Sequence, residues 1–464
     1  MDISALSAAE LANRFANRTL SPVEALGAVL ALVEMWEPKL RATYAFDPEG
    51  AYAAARASEA RWREGRPLSA VDGVPVTVKE NIASKGVPVP LGTVATILVE
   101  AAEDAPPVAR LREAGAVIFS KTTMPDYGML SSSLSSFHPL TRNPWDLTKT
   151  PGGSSSGAAA GAAAGYGPLH LGTDIGGSVR LPASWCGIFA LKPSLGRIPI
   201  DPPYMGRVAG PMTRTVSDAA RLMAVLSRPD SRDHMSLPAG DTHWNDLDRD
   251  VKGLRIGHCP EIGCGLPVDP EIASAVDAAA CTFERAGAVV EQLPPFVTPE
   301  MIEGLDRFWR ARAYSDLMKL PAATAEKVLP FIRAWVRKAA TYSGEDVFSG
   351  YAQTMVLRKA ANDATRSFDF VLMPTAPVVA FPAELPCPTK DPERPFEHIA
   401  FTAPFNMSEQ PAASINCGYT KAGLPIGLQI VGRRFDDLGV LRISRAWERM
   451  RPSQRPWPKP PIGN

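Results

Sequence analysis

Two hydrophobic periods alternate along the first part of the chain. Ser21-Pro22-Val23-Glu24 reads as an N-cap, a proline at the first helical position and a capping-box glutamate, and apolar residues then recur at Leu26, Val29, Leu30 and Val33. This spacing predicts a helix that Pro38 closes. A second, alanine-rich helix with charge along one side is predicted from Ala51 to Glu64, and Asp72-Gly73-Val74-Pro75 breaks the pattern. The stretch from Val76 through Val78 to about Asn81 is strand-like. Farther on, Ala109 to Ala114 ends a helix that leads into the short apolar strand Ala116-Val117-Ile118-Phe119. Helix and strand go on alternating, which is the pattern of an α/β fold.

The tract from Pro151 to Pro193 has serines and glycines at both ends. Inside it, Gly157, Gly161 and Gly165 recur every four residues among alanines and lay a small-residue face along one helix, as close packing in a protein interior requires. Pro229 to Asp250, rich in Asp, Ser and His, reads as a long surface connection. Leu254 to Gly257 starts another strand, and Glu271 to Ala286 is helical before Ala288-Val289-Val290. Met301 to Arg366 has helical spacing and carries Trp309, Phe331 and Trp335. Strands return at Phe370 to Met373, Ala413 to Cys417 and Ile426 to Val431. These elements predict one central sheet drawn from both halves of the chain, hence one domain over 1–464. Its parts are a helical portion over 1–70, a core over 71–228, a more variable region over 229–366 and a C-terminal portion over 367–464 that completes the sheet.

Composition narrows the function. The 464 residues, 45% of them hydrophobic, are enough to bury a sizeable core, and 49 basic residues cancel 49 acidic ones. No global field gathers nucleic acid or an anionic membrane surface. Six scattered cysteines do not make a disulfide framework, and the start Met1-Asp2-Ile3-Ser4 has no basic or apolar leader, so a cytoplasmic location is expected. Pro151 to Thr173 lacks Asp, Glu, Lys and Arg, but its Gly, Ser and Ala content suits burial in protein instead of lipid.

Several chemistries lack their residues. His258, Cys259 and Cys264 have no matching second pair for a metal, the Gly152 to Gly157 cluster is not followed by the Lys of a phosphate loop, and no Ser-x-x-Lys pair occurs. Gly153-Ser154-Ser155-Ser156-Gly157 matches the G-x-S-x-G elbow of α/β-hydrolases, which would make Ser155 an esterase nucleophile served by His258 or His398. An elbow needs a strand before it, and here Asn143-Pro144-Trp145-Asp146 and Thr150-Pro151 read as loop.

A stronger constellation joins three segments: Gly73 to Asn81, Pro151 to Gly157, and Gly172 to Pro182. Lys79 stands in an apolar strand, where a desolvated lysine loses its proton readily and can act as a general base. In Ile175-Gly176-Gly177-Ser178 the glycines let successive N–H groups converge on one spot, a nest for a developing oxyanion beside the serine hydroxyl.

These three segments resemble the motifs of the amidase signature family of serine hydrolases. The similarity continues through Cys186-Gly187, Leu191-Lys192-Pro193, Pro404-Phe405-Asn406, Gly423 to Gln429 and Gly432-Arg433-Arg434, and so covers almost the whole chain. The resemblance implies a large mixed β-sheet covered on both faces by helices. It implies Ser178 as nucleophile, Ser154 as a bridging serine after a cis bond from Gly153, Lys79 as base, and the backbone N–H groups of Ile175, Gly176, Gly177 and Ser178 as oxyanion donors. Ser155, Asp174 and Arg180 are expected in support. Glu80, where aspartate is common, and Ser156-Gly157-Ala158, in place of a frequent Gly-Gly-Ser, depart from the family pattern without removing a reacting group.

The implied activity is amide hydrolysis through an acyl-enzyme, with no cofactor and no metal. Met124, Tyr127, Met129, Phe137 and Trp309, with Phe308 and Trp335, are candidates to line an apolar pocket, which favours aryl or alkyl amides and anilides, with carbamates and esters within reach. The expected partner is a small-molecule amide or carbamate, and the chain is expected as a monomer or homodimer without a membrane span. The alternative is a glutaminase-type A subunit of an amidotransferase complex, which shares the same motifs. A catalytically silent binding protein fits less well, because Lys79, Ser154 and Ser178 are all present.

Overall fold

A computed structural model describes residues 2–461 of the chain. Its strands are β1 (Thr43–Tyr44), β2 (Pro75–Lys79), β3 (Val117–Thr122), β4 (Leu169–Asp174), β5 (Phe189–Lys192), β6 (Val208–Thr213), β7 (Arg255–His258), β8 (Val289–Gln292), β9 (Phe370–Pro374), β10 (Ala412–Tyr419) and β11 (Pro425–Gly432). They form one sheet in the order β1-β3-β2-β4-β6-β5-β10-β11-β9-β7-β8. β3, β2 and β4 are mutually parallel, as are β8, β7 and β9, while the strands between these groups are antiparallel. The sheet is therefore mixed.

Alternation along single strands shows that both faces are covered. In β9, Phe370 and Leu372 join one apolar core while Val371 and Met373 join the other. The first core lies under the helices Ala8–Ala16, Pro106–Glu113, Val216–Leu226, Pro270–Arg285 and Asp437–Met450. The opposite face is packed by Pro22–Leu40 and Pro48–Arg63, by the buried Ser156–Ala164 helix, and by Pro299–Leu317 with its neighbours.

Most predicted elements stand within a few residues of their expected bounds, and two differ instructively. The first long helix, Pro22–Leu40, runs through Pro38 and ends at Arg41 in a left-handed conformation (φ 54°). Proline costs the hydrogen bond to the carbonyl four residues earlier, here that of the exposed Glu34, and it stands only two residues from the helix end. The connection over 229–250 has no helix or strand but is more than surface, since Trp244 and Leu247 are buried in the first core. Among the described residues, no helix is long and apolar enough to cross a membrane.

The uncharged tract is packed in protein throughout, every residue from Pro151 to Thr173 being buried. Its helix approaches the backbone of other segments so closely that a Cβ at Gly157 would lie 2.2 Å from the Ala42 carbonyl oxygen and 2.6 Å from the Thr123 nitrogen. At Gly161 the nearest atom is 3.2 Å away on the Tyr166 ring, which can shift. Gly157→Ala is therefore expected to destabilise the protein by about 1–3 kcal/mol or more. Gly161→Ala gains up to about 1 kcal/mol of helix propensity against a milder contact and should stay near wild type. Urea or thermal unfolding of the two variants checks the difference, and equal stability would contradict the packing.

Candidate active site

β2 and β4 are adjacent and parallel, so their carboxyl ends, Lys79 and Asp174, emerge on the same edge of the sheet. β6, on the other side of β4, runs antiparallel. Sites in open α/β sheets form at carboxyl ends where the topology changes. The loop before the Ser156–Ala164 helix crosses this edge, with Ser155 as N-cap residue and a cis peptide between Gly153 and Ser154. Glycine is required at 153, where a Cβ would meet the Ser132 carbonyl oxygen at 2.4 Å.

Lys79 is fully buried, with its Nζ 2.7 Å from Ser154 Oγ, 3.2 Å from Ser155 Oγ and 3.1 Å from Thr173 Oγ1. Burial lowers its pKa from 10.5 to about 7; Arg207 pushes the same way, against the pull of Asp174 and Glu80. A large fraction of Lys79 is thus uncharged at neutral pH, with a lone pair against a serine hydroxyl. Ser155 is bound on several sides. Its hydroxyl donates to the Thr173 carbonyl and accepts from the Thr173 N–H, and no strand leads into the loop that carries it. It is not the nucleophile of a strand-fed elbow.

Ser178 lines the cavity in front of Ser154, and its hydroxyl has no hydrogen-bond partner among the described residues. It follows a turn held by Asp174, whose carboxylate accepts from the N–H groups of Gly177 (2.8 Å) and Val179 (3.1 Å). The four N–H groups expected as oxyanion donors are therefore not equally placed. The Gly177 N–H is committed to Asp174, leaving those of Ile175, Gly176 and Ser178 without partners among the described residues. Gly177 has φ 127°, a conformation that favours glycine.

The turn is anchored in turn by a buried ion pair. Arg180 meets Asp174 through two nitrogens, at 3.1 and 2.9 Å, and both side chains are fully enclosed. Burial alone would raise the Asp174 pKa, but Arg180 and Asn406 hold it well below the usual carboxylate range. Arg180 also donates to the Thr402 carbonyl, Gln429 and Asn406, and Asn406 donates to Asp174. Such a network is favourable only when every member is satisfied, as here. Behind Lys79, Glu80 lies 2.6 Å from His138 Nε2.

Two lobes of a cavity meet at Ser178. One, of about 110 Å³, is walled by Leu181, Trp309, Trp335, Phe396 and Ile399, with Arg312 also on its lining. The other contains Ser154 and Met124 and reaches Asp201, Arg207, Arg312 and Asp316. Tyr127 and Met129 line both. Of the residues proposed for the pocket, Phe137 and Phe308 are not brought to it. Phe137 packs edge-on against Tyr44 and His138, and Phe308 lies against Tyr351. Thr173, Thr402, Asn406, Gln429, Phe396 and Ile399 escaped sequence reasoning; Asn406 and Gln429 stood in quoted motifs but carried no assigned role. Among the described residues, no three His, Cys, Asp or Glu side chains converge as metal ligands.

Known proteins resemble the chain in sequence and fold. The model of the family described as Amidase matches residues 24–441. The glutamyl-tRNA(Gln) amidotransferase A chain of Myxococcus xanthus is 38% identical, covering 97% of this chain and 98% of that protein, and its counterpart from Chloroflexus aggregans is 33% identical over 93% of each. Among solved structures, a bacterial aryl acylamidase of the amidase signature family superposes with a TM-score of 0.88 at 28% identity, covering 96% of both chains. The glutamyl-tRNA(Gln) amidotransferase A chain of Thermotoga maritima gives 0.80 at 28% identity, covering 100% of this chain and 99% of that one. With a lysine, two serines and a glycine turn gathered at one sheet edge, and with matches spanning nearly its whole length, the chain belongs to the amidase signature family of hydrolases, which act on carbon–nitrogen bonds other than peptide bonds.

Proposed function

We propose that the chain hydrolyses amides through Lys79, Ser154 and Ser178. Neutral Lys79 takes the Ser154 hydroxyl proton as Ser154 takes that of Ser178, whose oxygen attacks the carbonyl carbon. The oxyanion is met by the N–H groups of Ile175, Gly176 and Ser178. The proton returns through Ser154 to the leaving nitrogen, the C–N bond breaks, and water activated by the same relay releases the acid and restores Ser178. These steps call for no metal or organic cofactor.

The observation that carries the substrate reading is the wall of Leu181, Trp309, Trp335, Phe396 and Ile399 beside Ser178. It supports an aryl or alkyl acyl group. Carbamates and esters offer the same carbonyl with an easier leaving group. In this reading the 464 residues are one domain acting as a monomer or homodimer in the cytoplasm.

A second reading is a glutaminase-type A subunit that hands ammonia on within an amidotransferase complex. The curated relatives, amidotransferase A chains at 30–38% identity, favour it, and on their names it has more support than the first. The cavity favours the first.

Turnover of a matched panel separates them: anilide, carbamate and urea of one aromatic amine, with a primary amide, an ester and glutamine. Release of the aromatic amine by the chain alone is expected, and activity on glutamine alone would move the protein to the second reading. Ser178→Ala is expected to lower kcat by about 10⁴-fold or more. Ester cleavage surviving in Ser178→Ala would return the nucleophile's role to Ser155.

The pH profile tests the base. Only proton-free lysine accepts a proton, and burial holds Lys79 at about 7. The kcat/KM of the wild type is expected to fall about tenfold per pH unit below that value and to level off above it. A profile flat from pH 5 to 8 would exclude Lys79 as the base.

A further inference from the structure

Arg207 has fewer partners than the best-connected buried arginines of this protein. Arg180 and Arg310 are surrounded by carboxylates and carbonyls, and Arg214 donates to the carbonyls of Ala162 and Ala163. Arg207 makes one hydrogen bond, from Nη1 to the Pro202 carbonyl at 2.9 Å, and has no ion pair among the described residues. A guanidinium carries five N–H donors, so most of its capacity is unused. It lines the cavity lobe that contains Ser154 and Ser178.

Beside it stands a second positive charge. Arg312 lines this lobe as well as the other, stands over the Tyr204 ring at 4.0 Å, and reaches Asp316 only at 4.0 Å. The two arginines repel, which together with burial lowers the Arg207 pKa to about 10. Asp201 draws Arg207 the other way but is exposed and does not bond to it. Two arginines on one lobe, one of them with most of its donors unused, are an arrangement that an anion completes, and the planar fork of arginine suits a carboxylate.

The relay says which half of the substrate enters this lobe. Ser154, which returns the proton to the leaving nitrogen, lines the lobe that contains Arg207 and not the one walled by Trp309 and Trp335, while Arg312 lines both. The amine half must lie on its side, and the acyl half against Trp309 and Trp335.

We propose that Arg207 and Arg312 hold a carboxylate on the amine half of the substrate, so that the enzyme cleaves amides joining an apolar acid to a carboxylate-bearing amine. This rests on the amidase reading above. Water adds across the C–N bond, giving the free acid and an amino acid.

The test compares the phenylacetyl amides of γ-aminobutyrate and of pentylamine, which have similar length and differ in the terminal charge, with the amide of a diamine as the cationic member. At low salt the wild type is expected to prefer the anionic amide by about tenfold in kcat/KM, mostly through KM. In Arg207→Gln and in Arg312→Gln that ratio shrinks toward one. Arg312 is half-exposed, so its variant keeps the test valid should Arg207→Gln fold poorly. Calorimetry on Ser178→Ala reads binding without turnover and is expected to show the same order. Equal KM values in the wild type, a ratio unchanged in the variants, or preference for the diamine amide would overturn the proposal. Tight binding of the anionic amide to Ser178→Ala without wild-type turnover would uphold the carboxylate site while sinking the hydrolase reading. Binding of neither amide would overturn the site.

Discussion

Lys79 is a charge-bearing side chain placed where charge is expensive. Its strand is enclosed on both faces, and the groups within reach of Nζ are hydroxyls, which solvate an amine far less well than water solvates an ammonium. The lysine meets the conflict by giving up its proton near neutrality. Every other feature of the site depends on this. The glycines at 152 and 153 let the serine loop pack against Pro182, Trp185 and the Leu130–Ser132 backbone, and in that position Ser154 and Ser155 cover Nζ.

A second constraint works against the first in sign. Asp174, one strand away, is held ionised by Arg180, and its charge tends to keep Lys79 protonated. The fold accepts this because the same carboxylate fixes the Gly177 and Val179 amides and so shapes the turn before and after Ser178. Arg207 offsets part of the pull. One site thus keeps a carboxylate charged and a lysine largely neutral on adjacent strands, by giving the first an arginine, two backbone N–H groups and Asn406 and the second only hydroxyls.

Local pattern in the sequence carried what lies close along the chain. The capping box at Ser21, the glycine spacing through Gly165, and the three segments around Lys79, Ser154 and Ser178 could be read because each is a short pattern with one physical meaning. Side chains brought in from a distance could not. Asn406 and Gln429 reach Arg180 from more than 220 positions away, and nothing in their neighbourhood signals that destination. The pocket illustrates the same limit. Trp309 and Phe137 are equally apolar on paper, but Trp309 lies on a helix over the glycine turn, whereas Phe137 is turned away against Tyr44. Pro38 shows the converse, a local rule set aside within a few residues of the helix end.

The order of strands has a consequence for synthesis on the ribosome. β5, complete by Lys192, takes its outer neighbour from β10, which begins at Ala412, and Arg180 finds two of its partners only at Asn406 and Gln429. For more than two hundred residues of elongation the nascent protein therefore holds an open strand edge and an arginine short of its partners. Contacts of such sequence separation form slowly. Chains that stop short of the last two long strands would carry all three chemical motifs and yet lack Gln429, one of the partners of Arg180, while presenting a bare edge to other unfinished copies.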